Sequence, residues 1–327
     1  WGYGTFIAVA LCLVLPPVAA SQAPAQNPPA PPTETTAPDI PGVVAGGTKV
    51  QLIAQGLRGT EGPIALPDGS LIFTEQNASV ITKIDANGNR STYLENTDES
   101  NGLTFDPKGR LIGTQRGANP AIAVFSPGPR TVLASSYEGK PFLRPNDLVA
   151  DKKGGIYFTD PGSNPQPGKP LPGKPSVYYI RPNGTVALIS DDIVRPNGII
   201  LSPDEKVLYV ADSAGEFVIA FDVQPDGSVR NRREFGRLLG PKTDAGVRGG
   251  ADGLAVDSAG HLYVATTMGV QVISPQGTHL GTIPIGVANG PQNLAFAGPD
   301  KKPLYIVGRG AAWKIAMLSQ GPKDRAK

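Results

Sequence analysis

Six times along the chain a short phrase returns with an oxygen-bearing residue at the same point. The copies are Glu61-Gly62-Pro63-Ile64, Asn101-Gly102-Leu103, Asn146-Asp147-Leu148, Asn197-Gly198-Ile199, Asp252-Gly253-Leu254 and Gln292-Asn293-Leu294. Each runs on through a short apolar stretch, a turn and a second apolar stretch such as Leu71-Ile72-Phe73 or Leu262-Tyr263-Val264. The anchors are spaced by 40, 45, 51, 55 and 40 residues. That period falls in the range of propeller blades, about 40–50 residues. The spacing predicts an all-β fold, a six-bladed β-propeller. Blades are arranged radially, so one repeat position becomes one ring around the axis. The ring would hold Glu61, Asn101, Asn146, Asn197, Asp252 and Gln292.

The turn chemistry agrees. Pro67-Asp68-Gly69, Asp106-Pro107-Lys108-Gly109, Asp151-Lys152-Lys153-Gly154 and Ser258-Ala259-Gly260 each separate two apolar runs within a repeat. Asp and Pro start such turns, and Gly accepts the positive φ they need. A second hairpin follows in most repeats, across Asn87-Gly88, Asn183-Gly184, Asp226-Gly227 or Gln276-Gly277. Asn-Gly and Asp-Gly are strong hairpin signals. Four strands per repeat is propeller geometry. No stretch carries a helical period, which sets aside a parallel α/β fold. Ring closure is expected through a strand near Thr48 to Ala54, pairing beside Ala312 to Leu318.

The N-terminal region reads differently. Residues 6–20 form an apolar run holding Cys12, the only cysteine. The run is shorter than the about 20 residues of a membrane span. It looks like the apolar part of an export signal, with Val18-Ala19-Ala20 as a small-residue cleavage site. The expectation is an exported protein, periplasmic or secreted; the alternative is a hydrophobic tail that is never cleaved. Residues 21–42 are rich in Pro and Ala and read as an extended linker. The propeller is then expected over residues 43–320, followed by a short tail, 321–327. Net charge is +2 with no long basic run, so nucleic-acid binding has no electrostatic footprint.

The anchor ring offers two carboxylates, Glu61 and Asp252, and four amides, with no Cys or His at equivalent positions. Such oxygen donors favour a hard cation. Ca²⁺ accepts six to eight oxygens in loose geometry and is the first choice; Mg²⁺, Mn²⁺ and Zn²⁺ are the alternatives.

Four motifs together carry a resemblance: Glu61-Gly62-Pro63, Arg144-Pro145-Asn146-Asp147, Arg195-Pro196-Asn197-Gly198 and Ala251-Asp252-Gly253. In order and at matching blade positions, they resemble the motifs of the regucalcin/gluconolactonase family of six-bladed propeller lactonases, over roughly residues 45–318. The resemblance implies that Glu61, Asn197 and Asp252 hold one divalent cation. It places Asn146 beside them, as a further ligand or a substrate contact, and Arg144 against substrate oxygens. It implies a small-molecule lactone substrate, with a sugar lactone first. A cation would polarise the carbonyl and stabilise the oxyanion, and Asp252 is the candidate base for water. Metal coordination lowers a carboxylate's basicity, which stands in tension with that role. Asn101 and Gln292 read as channel lining, Asn101 also as a candidate substrate contact.

Two departures from the family pattern stand out. Ile64-Ala65 follows the Glu-Gly-Pro where an aromatic residue is common. The Pro-rich insertion 161–175 is either a lid over the mouth or a solvated loop. Two rival functions are a non-catalytic binding propeller of the NHL type and a strictosidine-synthase-like enzyme. His261 and His279 lie away from the anchors, which disfavours a histidine-based paraoxonase chemistry. No Gly-x-Ser-x-Gly elbow is present, so a serine hydrolase is set aside.

Overall fold

The computed structural model describes residues 1, 2, 4, 30–163, 169–243, 246–325 and 327. The expected export signal, the first part of the linker (21–29) and the centre of the 161–175 insertion lie outside the described residues. Residues 31–327 form one compact unit, separate from 1–30.

Six blade sheets follow one another along this unit, five with four antiparallel strands and the last with a short fifth strand, Thr35–Thr36, added at its edge. Blade one spans 60–94, blade two 103–134, blade three 148–190, blade four 196–237 and blade five 254–283. Blade six combines Asn293–Phe296, Pro303–Gly308 and Ala311–Ala316 with the early strand Lys49–Gln55. The pairing of Gln51 with Lys314 and Leu52 with Trp313 closes the ring where the sequence predicts it. The hairpins at Asn87-Gly88, Asn183-Gly184, Asp226-Gly227 and Gln276-Gly277 all form the outer pair of their blade. Helical structure among the described residues is confined to one short 3₁₀ turn, Gln76–Ala78.

The core sits between blades. Alternate side chains of neighbouring sheets mesh into apolar clusters, such as Ile200, Tyr209 and Val218 of blade four with Leu254, Val264 and Ile273 of blade five. Strands buried on both faces read as near-continuous apolar runs, which is why the repeats were visible in the sequence. Residues expected as the last part of the linker join this core. Thr35 and Thr36 pair with Val50 and Lys49, Trp313 Nε1 donates to Thr33 O, and Ala37, Ile40, Val43 and Val44 are buried. Apolar residues at these four positions tie the segment down.

The C-terminal residues are also held. Ser258 N donates to Gln320 O and Gly321 N to Lys301 O. Arg325 Nη1 donates to Leu201 O at 3.0 Å, Lys152 pairs with Asp324 at 2.7 Å, and the Lys327 ammonium reaches Asp147 inside the channel. The segment thus crosses blades six, five, four and three on one face.

Candidate active site

Each anchor opens the innermost strand of its blade, and the blades interlock there. Gly102 N donates to Asn146 O at 2.9 Å, Gly198 N to Asp252 O at 3.1 Å and Gly253 N to Gln292 O at 2.7 Å. The residue after one anchor therefore bonds the carbonyl of the next blade's anchor. Buried threonines on the second strands add to this. Thr74 Oγ1 donates to Asn101 O at 2.8 Å and Thr159 Oγ1 to Asn197 O at 2.6 Å. Backbone groups are thereby satisfied, which leaves the anchor side chains for other work.

Glu61 is 2% exposed. Gln292 Nε2 donates to its Oε1 at 3.0 Å and Asn293 Nδ2 to its Oε2 at 3.2 Å. Gln292 Oε1 in turn accepts from Arg309 N at 2.8 Å. Gln292 is thus more than lining: it aims the Glu61 carboxylate. Burial pushes the Glu61 pKa up, against the bond from Asn293 and the Arg116 charge. Asp252 is raised well above the usual carboxylate range, first by burial and then by the Glu61 charge. The Glu61 charge thus opposes ionisation of Asp252, a repulsion that a bound cation would relieve.

The amides supply further donors. Asn197 Nδ2 is committed to Ser213 Oγ at 2.9 Å, which turns Oδ1 away, and Oδ1 is buried with no partner. Asn101 shows the same pattern. Its Nδ2 faces Gln76 Oε1 at 3.4 Å and its Oδ1 is buried and unpartnered. Unsatisfied buried oxygens of this kind cost about 1–3 kcal/mol each unless something binds them. The donor set of Glu61, Asp252 and the Asn197 oxygen fits a hard divalent cation. Asn146, 8% exposed, opens the neighbouring blade. Among the described residues no cluster of three His, Cys, Asp or Glu side chains could hold a metal, as expected for a site built half from amides.

The mouth is cationic. Arg144 N donates to Asp160 Oδ1 at 2.6 Å, and its Nη2 pairs with Glu99 Oε2 at 3.0 Å. Arg116, which the repeat pattern did not single out, follows the second strand of blade two. Its Nη1 donates to Gln76 Oε1 at 2.8 Å. Burial and the Arg144 charge push its pKa down to about 10, while Glu61 and Asp252 oppose the shift. A cleft of ≈ 530 Å³, lined by Arg58, Gln76, Asn77, Gln292 and Arg309, opens beside Glu61.

Three more residues lay outside the expected set. Asp147 and Asn293 occupy the position where blades one, two, four and five have Gly. Asp147 Oδ1 accepts from Leu148 N and Asn293 Oδ1 from Leu294 N, both at 2.9 Å, so the two side chains take equivalent poses in opposite blades. Gln76 orients both Asn101 and Arg116. The break in the Gly pattern was a readable signal for the first two; Gln76 had none. His261 bonds Asp257 and His279 faces Thr282, apart from the channel as expected.

The fold and site define a class: a six-bladed propeller whose channel carries a hard-cation donor set beneath a cationic mouth. Residues 59–309 match the family model described as SMP-30/Gluconolactonase/LRE-like region, and the chain belongs to that family. It is 28% identical over 292 residues to a gluconolactonase of Zymomonas mobilis, covering 82% of this chain and 81% of that protein. It is 30% identical to regucalcin of Danio rerio over 56% of this chain and 60% of that one. A solved structure described as a gluconolactonase from Xanthomonas campestris superposes with a TM-score of 0.73 at 27% identity, covering 89% of this chain and 99% of that one.

Proposed function

We propose that this chain is a metal-dependent lactonase that opens a sugar lactone by hydrolysis. Membership of the family and its gluconolactonase relatives support the lactonase reading. The observation that carries the metal-dependent part is the Glu61 charge acting on Asp252, with the buried, unpartnered Asn197 oxygen in the same ring of anchors.

Glu61, Asn197 and Asp252 would hold the cation, Ca²⁺ first, with Asn146 at its side. When bound, a divalent cation supplies Lewis-acid polarisation of a carbonyl oxygen. Gln292 and Asn293 fix the Glu61 carboxylate. Asp252 has no such pair of donors among the described residues, and as a carboxylate it takes the proton of the attacking water. The water oxygen bonds to the lactone carbonyl carbon, and its proton passes to Asp252. The ring C–O bond then breaks, and the ring oxygen leaves as a hydroxyl with that proton. Sugar hydroxyls have partners at the mouth in Asn77, Gln292, Arg309 and Arg144.

The test is a panel of aldonolactones followed by proton release, with and without a chelator. Hydrolysis that disappears on chelation and returns with Ca²⁺ supports the reading. Equal rates in excess chelator, or no hydrolysis of any lactone, would sink it. A binding-only propeller predicts the latter, with channel substitutions harmless. The apolar N-terminal run supports export, testable by fractionating cells that express the full sequence.

A further inference from the structure

Two arginines stand at the mouth, and they are differently committed. Arg144 has an ion-pair partner, Glu99, at 3.0 Å. Arg116 has one neutral acceptor, Gln76 Oε1, at 2.8 Å. Its Nε is buried with no partner, and none of the ion pairs formed among the described residues includes it. The position is held from both sides. Arg116 N donates to Asp98 O at 3.0 Å, and Gln76 N to Gly59 O at 2.9 Å. The same Gln76 oxygen faces Asn101 Nδ2, so the guanidinium stands beside an anchor of the ring. Its charge is felt by Glu61, Asp252 and Asp160.

A half-buried guanidinium with no direct ion pair keeps N–H groups free to bind an anion. Its planar fork suits a carboxylate or an oxyanion. We propose that Arg116 is a catalytic residue that holds the developing oxyanion of the opening lactone and then the carboxylate of the hydroxy-acid product. This role rests on the lactonase reading. It divides the two arginines: Arg116 receives the anion, while Arg144 is tied to the mouth loop through Glu99 and Asp160. A neutral lactone presents no full charge until water adds, so the contact strengthens along the reaction and acts on kcat more than on KM.

The experiment compares wild type, R116M and R116K in lactone hydrolysis, in inhibition by the hydroxy-acid product, and in Ca²⁺ binding by calorimetry. R116M is expected to lose about 10²–10³-fold in kcat, as for one oxyanion donor, with KM for the neutral lactone shifted far less. Product inhibition should weaken by about tenfold or more, and R116K should fall between. Ca²⁺ affinity should not weaken, because Arg116 supplies no ligand and its charge opposes a cation beside Glu61 and Asp252. R116M with wild-type kcat and wild-type product inhibition would overturn the assignment. If R116M does not fold, R116K decides: weakened product inhibition at unchanged Ca²⁺ affinity supports the role, and wild-type inhibition overturns it. A wild-type protein that hydrolyses no lactone removes the function and this role together. A wild type and R116M that hydrolyse equally well remove only the role.

Discussion

Asn293 Nδ2 donates to Glu61 Oε2 at 3.2 Å across the junction where the last blade meets the first. The bond is buried, and Asn293 Oδ1 is itself fixed by Leu294 N. The ring junction thus sets the aim of one of its two acids. Asn293→Leu should keep the fold but free the Glu61 carboxylate. Loss of a residue that orients a metal ligand costs about 10–100-fold in metal affinity. Calcium titration by calorimetry reads this directly, and an unchanged affinity would refute the positioning.

The close approach of blades one and two depends on Gly62. A Cβ there would lie 2.0 Å from Asn101 O, at a φ of +49°. Gly62→Ala should therefore destabilise by about 2–5 kcal/mol, combining left-handed strain with overpacking. Gly88 supplies the control, since its φ is +84° but nothing lies within 4 Å. Gly88→Ala should cost only the backbone strain, about 1–2 kcal/mol. Denaturant melts of both variants separate the two costs.

The Lys327–Asp147 pair is buried on both sides, with side chains 2% and 0% exposed. Breaking it from either end strands a charge in the channel. Lys327→Met or Asp147→Asn alone should each lose about 3–5 kcal/mol, while the double variant should recover most of that. A double-mutant cycle in urea checks the coupling; additive losses would count against the pair.

Lys301 gives a pH signature. Burial pushes its pKa down to about 8, against the Asp324 charge. Below pH 8 both folded and unfolded chains bind the proton, and the cost of burying the charge is fully present. Between pH 8 and the ordinary value of 10.5, the unfolded chain holds more protons, so this group's contribution to stability rises with pH. Lys301→Met should thus stabilise at pH 7, by about 1–3 kcal/mol. The gain should shrink towards pH 10. Melting temperatures at the two pH values test it, and a gain that grows with pH would contradict the burial argument.

The sequence shows the blades because strands buried on both faces repeat their apolar runs, and turn residues mark the ends. The frame in turn put all six anchors in one ring, since one repeat position maps to one radius, and the family resemblance singled out Glu61, Asn197 and Asp252 among them. Residues that act from outside this position stayed hidden. Gln76 and Arg116 enter the site from mouth turns whose path depends on Gly59 and Asp98, contacts without a periodic trace. Gln292 lies in the ring, yet its role depends on which neighbour its amide reaches. The stretch 31–42 reads as linker by composition, but four apolar side chains from Ala37 to Val44 decide its packing.

The strand Lys49–Gln55 belongs to the blade that is made last. During synthesis it must wait unpaired until Ala311–Ala316 has emerged. Until then the nascent chain carries a free edge on that strand. Edges of this kind pair with other chains when their own partner is absent, and pairings of such large sequence separation form slowly. A chain cut short before residue 311 would therefore offer its first strand to a neighbour, and shortage of the final blade would show as assembly between molecules rather than as a smaller ring.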